Sequence, residues 1–219
     1  MTDAVIFDLD GVLVDSERLW NGAKEALVRE TGGVWRDESP TVMMGMSSPE
    51  WATYLHDDLG VPMDVDAINR EVVRRMEEGY RSDLPLLPGA AEAVRALAAR
   101  WPLGLASSSN RELIDLVLEI SGFGDAFRVT VSSEEVERGK PAPDVYLAAA
   151  ERLGVAPERC VAIEDSSNGL RSAAAAGMPV IAVPNPHYAP AADALALAAA
   201  AVPVVGDVTP ELVERVFRR

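Results

Sequence analysis

The chain has 219 residues, 48% of them apolar and 25% charged, a composition that builds a globular core and excludes a disordered segment. Thirty-five acidic residues against 20 basic ones give a net charge of −15, which argues against a nucleic-acid partner and against docking on anionic lipid. A single cysteine, Cys160, excludes an internal disulfide, and a small anionic substrate would have to be met by a local positive site built against the protein's own field.

The first apolar run, Ala4-Val5-Ile6-Phe7, stops at Asp8 after four residues. It is too short for a signal peptide or a membrane span, so a cytoplasmic location is expected. It suits a buried parallel strand, as do Leu103-Gly104-Leu105-Ala106, Val129-Thr130-Val131, Val161-Ala162-Ile163 and Val180-Ile181-Ala182-Val183. Val202 to Val205 is expected as a sixth strand at an edge. Helices are expected over 90–100, 112–120, after Asp144 as a cap, and over 170–176 before Gly177. The Ala-rich stretch 191–201 reads as one more. Alternating strands and helices imply an α/β fold, a doubly wound parallel sheet with helices on both faces.

The alternation breaks once. Between the first strand and Pro88-Gly89 no strand is readable, while 17–30, 49–59 and 67–80 read as amphipathic helices. A helical insertion after the first strand follows, with a core expected from residues 1–15 and 86–219 and an insert over 16–85. The insert holds Trp20, Trp35 and Trp51 with Met43, Met44, Met46, Met63 and Met76, which suit the filling of a small bundle or a deformable apolar wall facing a ligand.

Four groups of residues could carry chemistry. Asp8-Leu9-Asp10-Gly11 places two acids where a buried strand ends, the position at which open α/β sheets bind ligands. Two acids there are costly without a cation or a shared proton. Glu164-Asp165-Ser166 repeats the pattern after Val161-Ala162-Ile163, and if the two strands are neighbours four carboxylates converge. An all-oxygen set without His or Cys suits Mg²⁺. Ser107-Ser108-Ser109-Asn110 lies before a helix, where hydroxyls and free N–H groups suit a phosphate oxygen or a simple cap. Lys140, in Gly139-Lys140-Pro141-Ala142-Pro143-Asp144, is one of only two lysines beside 18 arginines.

In this order the four groups resemble the motifs of the haloacid-dehalogenase-like hydrolases, in the subfamily with a helical cap after the first strand. The similarity is closest to β-phosphoglucomutase-like and sugar-phosphate phosphatase members. The resemblance implies a phosphatase with a Rossmann-like core acting on a small phosphorylated metabolite. Asp8 would be the nucleophile and Asp10 the general acid–base. Mg²⁺ would be held by Asp8, Asp10 through its carbonyl, Glu164 and Asp165, and the phosphate by Ser107, Ser108 and Lys140. An acid at position 10 disfavours dehalogenation. Mutases of the family carry a His and an Arg where this chain has Trp20 and Ser48, which favours hydrolysis over the mutase alternative. A non-catalytic binding module would be expected to have lost one of the paired acids. On the cap, Trp20, Gly45 and Met46 are the candidates to face the substrate. Arg18, Lys24, Arg74 and Arg75 could contact a polar group, although charges on helix surfaces are usually solvated.

Overall fold

The computed structural model describes residues 3–43, 46–186 and 188–218. Its centre is a six-stranded parallel sheet in the order β3-β2-β1-β4-β5-β6. The strands are β1 (Ala4–Phe7), β2 (Leu103–Ser107), β3 (Phe127–Ser132), β4 (Cys160–Glu164), β5 (Val180–Ala182) and β6 (Ala200–Ala201). The strand order reverses direction beside β1, so β1 lies between β2 and β4 at the switch point of the sheet.

Side chains that alternate along the central strands sort into two cores, as the two-residue period of a strand requires. Val5, Phe7, Leu105, Val161 and Ile163 point into one, with α5 (Ala90–Ala98), α6 (Arg111–Ser121) and α10 (Pro210–Phe217). Ala4, Ile6, Ala106 and Ala162 point into the other, against α7 (Asp144–Leu153) and α8 (Ser167–Ala175). The doubly wound α/β architecture read from the sequence is therefore the one found. Two details differ. The sixth strand is Ala200–Ala201, and Val205–Asp207 forms a 3-10 turn instead. Of the Ala-rich stretch, only α9 (Ala192–Leu195) is helical.

Between β1 and α5 the described residues form α1 (Glu17–Glu30), α2 (Ser39–Met43), α3 (Ser48–Asp57) and α4 (Val65–Ser82). In α4, Ile68, Val72, Met76 and Tyr80 repeat every fourth residue and form one buried stripe. Asp64 starts that helix by accepting from the Ala67 N–H at 2.8 Å. Helix α3 is started by a capping box, Ser47 with Glu50. Helices α1 and α3 both pack on α4, and α4 in turn touches α6. The two strands of chain that link these helices to the sheet run side by side: Asp15 N donates to Pro85 O at 2.8 Å and Leu87 N to Leu13 O at 2.9 Å. Among the described residues no helix is long and apolar enough to cross a membrane.

Leu105 is fully buried in a central strand. Leu105→Ala should cost about 2–5 kcal/mol of folding free energy, read as a lower urea midpoint with an unchanged slope. A midpoint that does not move would contradict this packing.

Candidate active site

The register of β1 on β4 pairs Phe7 with Ile163, so the residues that leave the two strands, Asp8 and Glu164, emerge side by side. Asp8 N donates to Ile163 O at 3.0 Å and fixes that exit. Asp8, Glu164 and Asp165 are all buried. Two glycines make room for them. Gly11 has φ +76°, and a Cβ there would lie 1.9 Å from Asp165 Oδ2. At Gly169, in the first turn of α8, a Cβ would lie 1.7 Å from Glu164 Oε1.

Glu164 is saturated with donors. Its Oε2 accepts from Asp165 N at 2.9 Å, Ser166 N at 3.1 Å and Ser166 Oγ at 3.2 Å. Its Oε1 accepts from Lys140 Nζ at 2.6 Å and Tyr146 Oη at 3.0 Å. Lys140, its side chain 4% exposed, also lies 2.8 Å from Asp8 Oδ1, an ion pair without the direction of a good hydrogen bond. Burial pushes the Asp8 carboxyl up to about 8; Lys140 opposes that shift, while Glu164 and Asp10 add to it. Burial also raises Asp165 well above the carboxylate range, with Glu164 and Asp8 contributing. For Lys140 burial works against the charge, but Asp8 and Glu164 outweigh it and hold the ammonium protonated.

Three buried carboxylates thus face one buried ammonium. Each acid offers an oxygen within 4.8 Å of the others, and the set contains no nitrogen or sulfur donor. Such a cluster fits a hard divalent cation such as Mg²⁺, whose charge would balance the excess of two negative charges.

The carboxylate of Asp10 is not in that cluster. It turns to hydroxyls: Ser16 Oγ donates to Oδ1 at 2.5 Å and Ser109 Oγ to Oδ2 at 2.6 Å. Only its main-chain carbonyl remains for the ligand role expected at position 10. Ser107 is fully buried at the end of β2, its Oγ 3.5 Å from Asp10 Oδ2 and accepting from Ser109 N at 3.0 Å. Ser107 therefore sits behind the surface that Ser108 and Ser109 present to the cavity.

That cavity, about 320 Å³, is lined from the sheet by Asp8, Asp10, Asp165 and Lys140 and from the helices by Trp20, Met46 and Trp51. The volume is that of a small-ligand site. Gly45 and Met44 lie outside the described residues. Arg74 and Arg75 pair instead with Glu71, Glu78 and Glu30 on the outer surface, and Arg18 is exposed beside a second depression that adjoins the cavity through Glu17, Asn185 and Tyr188. Lys24 is buried, against the expectation of a solvated charge. Sequence reasoning also passed over Ser16 and Tyr146. Ser16 precedes α1 as its cap residue yet makes no cap bond, a use visible only once β1 and α1 are placed together.

A family model described as haloacid dehalogenase-like hydrolase matches residues 2–177. The chain is 36% identical over 190 residues to hexitol phosphatase B of Escherichia coli (strain K12), covering 84% of each protein. It is 34% identical over 187 residues to the bifunctional riboflavin kinase/FMN phosphatase of Arabidopsis thaliana, covering 84% of this chain and 49% of that protein, about half its length. The crystal structure of CbbY from Rhodobacter sphaeroides in complex with phosphate superposes with a TM-score of 0.87 at 27% identity, covering 98% of this chain and 100% of that one.

A raised acid keeps its proton in the folded chain at a pH where the unfolded chain has lost it. Metal-free protein in EDTA should therefore lose stability as the pH rises from about 5 to about 8, while Lys140, raised above an already high value, adds no slope in that range. Mg²⁺ competes with these protons, so its stabilising effect in urea titrations should grow across the same range. A stability that rises with pH in EDTA, or is indifferent to Mg²⁺ at pH 8, would contradict the cluster as described.

Proposed function

The chain belongs to the haloacid dehalogenase-like hydrolase family, and from that premise we propose that it is a phosphatase cleaving a small phosphate monoester, a sugar phosphate, through a covalent aspartyl-phosphate. The single observation that carries the reading is the buried Asp8–Lys140–Glu164–Asp165 cluster opening into a cavity beside Asp10.

Asp8 is the nucleophile in this proposal. Lys140 holds its Oδ1 and leaves Oδ2 to attack phosphorus, so that the ester P–O bond breaks and an aspartyl-phosphate forms. Asp10 gives a proton to the departing alkoxide. It then takes a proton from the water that attacks the phospho-enzyme, and Asp8 is released with inorganic phosphate. The hydroxyls of Ser16 and Ser109 can donate to the carboxylate or accept from the acid, so the same contacts hold Asp10 in both states. A bound Mg²⁺, held by Asp8, Asp165 and the Asp10 carbonyl, with Glu164 able to join only by giving up one of its donors, would supply positive charge that offsets repulsion between the nucleophile and an anionic phosphate. Lys140, Ser108 and the backbone of the β2–α6 turn receive the phosphoryl oxygens, with Ser107 setting that turn. Glu164 acts by orienting Lys140 as much as by any contact with the cation. The helical insert, residues 16–85, covers the site as a cap and excludes bulk water.

The name of the bacterial relative, a hexitol phosphatase, supports a phosphorylated carbohydrate as substrate. Hydrolysis is favoured over a mutase reaction because Trp20 and Ser48 stand where the mutases carry a His and an Arg. Ser48 is committed to Asn110 Oδ1 at 3.1 Å.

Hydrolysis of p-nitrophenyl phosphate should require Mg²⁺ and vanish in Asp8→Asn. Asp10→Asn should lower kcat by roughly 10²–10⁴-fold on a sugar phosphate. Turnover that survives EDTA, or that Asp8→Asn leaves intact, would overturn the mechanism.

A further inference from the structure

A second buried cation faces the same cavity from the helical side. Lys24 on α1 is 6% exposed and lines the cavity together with Asp8, Asp10 and Lys140. Its ammonium lies 5.1 Å from the Trp20 ring centroid and 4.8 Å from that of Trp51. The two rings are 6.0 Å apart, tilted by 57°, so α1 and α3 together form an aromatic seat for one charge.

A lysine that merely covers apolar surface with its methylenes sends its ammonium out to water. Lys24 keeps its head in the cavity wall and, among the described residues, has no hydrogen bond and no ion pair within 4.0 Å. Glu17, two turns earlier on α1, and Asp10 are the carboxylates that act on it from a distance. Both are occupied elsewhere: Glu17 accepts from Asn21 Nδ2 and is itself raised by burial, and Asp10 is held by Ser16 and Ser109. Burial lowers Lys24 to about 8. It therefore stays largely protonated at neutral pH while lacking the counter-charge that a buried ammonium needs.

We propose that Lys24 is the specificity residue for the leaving group, and that it pairs with a second anionic group, a phosphate or a carboxylate, carried by the substrate away from the scissile ester. The inference rests on the phosphatase reading and narrows its substrate class to doubly anionic esters. Lys140 serves the phosphoryl end of such a molecule and Lys24 the other end. The wall of Trp20 and Trp51 lies against the carbon skeleton and keeps the charge pair dry. An ester with a neutral leaving group would leave the ammonium without a counter-charge in the cavity wall, which sets the direction of the preference.

Two matched pairs of esters test this. Fructose 1,6-bisphosphate differs from fructose 6-phosphate by a second phosphate, and 3-phosphoglycerate differs from glycerol 3-phosphate by a carboxylate. The wild-type protein with Mg²⁺ should favour the doubly anionic member of at least one pair by about ten-fold or more in kcat/KM, and the pair that discriminates identifies the second group. Lys24→Met keeps the apolar stem. It should raise KM for that member by about 10- to 100-fold with little change in kcat, and should not lower turnover of the singly anionic partner or of p-nitrophenyl phosphate. Lys24→Arg should recover much of the loss. A merely structural lysine would instead lower activity on every ester alike and lower the thermal midpoint. Equal losses on both members of each pair, or a wild-type protein without preference that still hydrolyses p-nitrophenyl phosphate, would overturn the role of Lys24 alone. Absence of turnover on every ester would overturn the phosphatase reading with it.

Discussion

Three carboxylates buried against a single ammonium at the ends of β1 and β4 are the constraint to which the rest of the molecule answers. Burying like charges together is unfavourable by desolvation and by repulsion. The fold offsets part of that cost with hydrogen bonds. Glu164 is fixed by five donors, two of them backbone N–H groups at the start of α8. Gly11 and Gly169 exist because the Asp165 and Glu164 carboxylates occupy the space their side chains would fill. What remains uncompensated, an excess of negative charge around Asp8, is the feature a divalent cation would relieve. A cation bound there would add stability as well as charge.

The sheet delivers this arrangement because its two faces are unlike. On the side of α7 and α8 four strand residues are alanines, Ala4, Ala106, Ala162 and Ala182, beside the larger Ile6, Val131 and Val180. Helix α7 can then approach closely enough for Tyr146, fully buried, to reach Glu164. The opposite face carries Val5, Phe7, Leu105 and Ile163 and supports α6, on which α4 and hence the helical insert rest. The Ser48–Asn110 hydrogen bond adds a polar tie between insert and core at the rim of the cavity. The proposed phosphoryl chemistry and substrate selection would thereby fall to different parts of the chain that meet over one cavity.

Much of this was legible in the sequence, for reasons that differ by residue. Strands β1, β2, β4 and β5 announce themselves as short apolar runs because they are buried on both faces, whereas β3, at the sheet edge, is buried only at its ends. The acids that follow β1 and β4 stand out because charges at such ends demand a purpose. The extent of α1 matched its amphipathic period, residues 17–30. Strand β6 was misplaced by two residues because Val202–Val205 has the better strand propensity, whereas pairing with Ile181 and Ala182 selects Ala200–Ala201. Helix α10 carried a readable start, Thr209 capping Leu212 N with Pro210 in the first turn, that periodicity alone did not flag. Lys24 was legible only in part: four residues after Trp20 and three and four before Leu27 and Val28, it lies on the apolar stripe of α1, while the second ring beside it, Trp51 on α3, is brought next to α1 only by packing on α4. The Asp10 side chain was likewise assigned by its neighbour in sequence, while its real partners, Ser16 and Ser109, come from two other segments.

The central claim is that the buried cluster exists to make Asp8 a nucleophile. Acid quench of the protein with Mg²⁺ and a turned-over sugar phosphate, followed by mass spectrometry of its peptides, tests this most directly. The account predicts a phosphoryl group on the peptide containing Asp8, stable in acid and released by hydroxylamine as an acyl phosphate would be, and absent in Asp8→Asn. A phosphoryl group on a serine of the Ser107–Ser109 turn, or none at any quench time while phosphate accumulates, would contradict it.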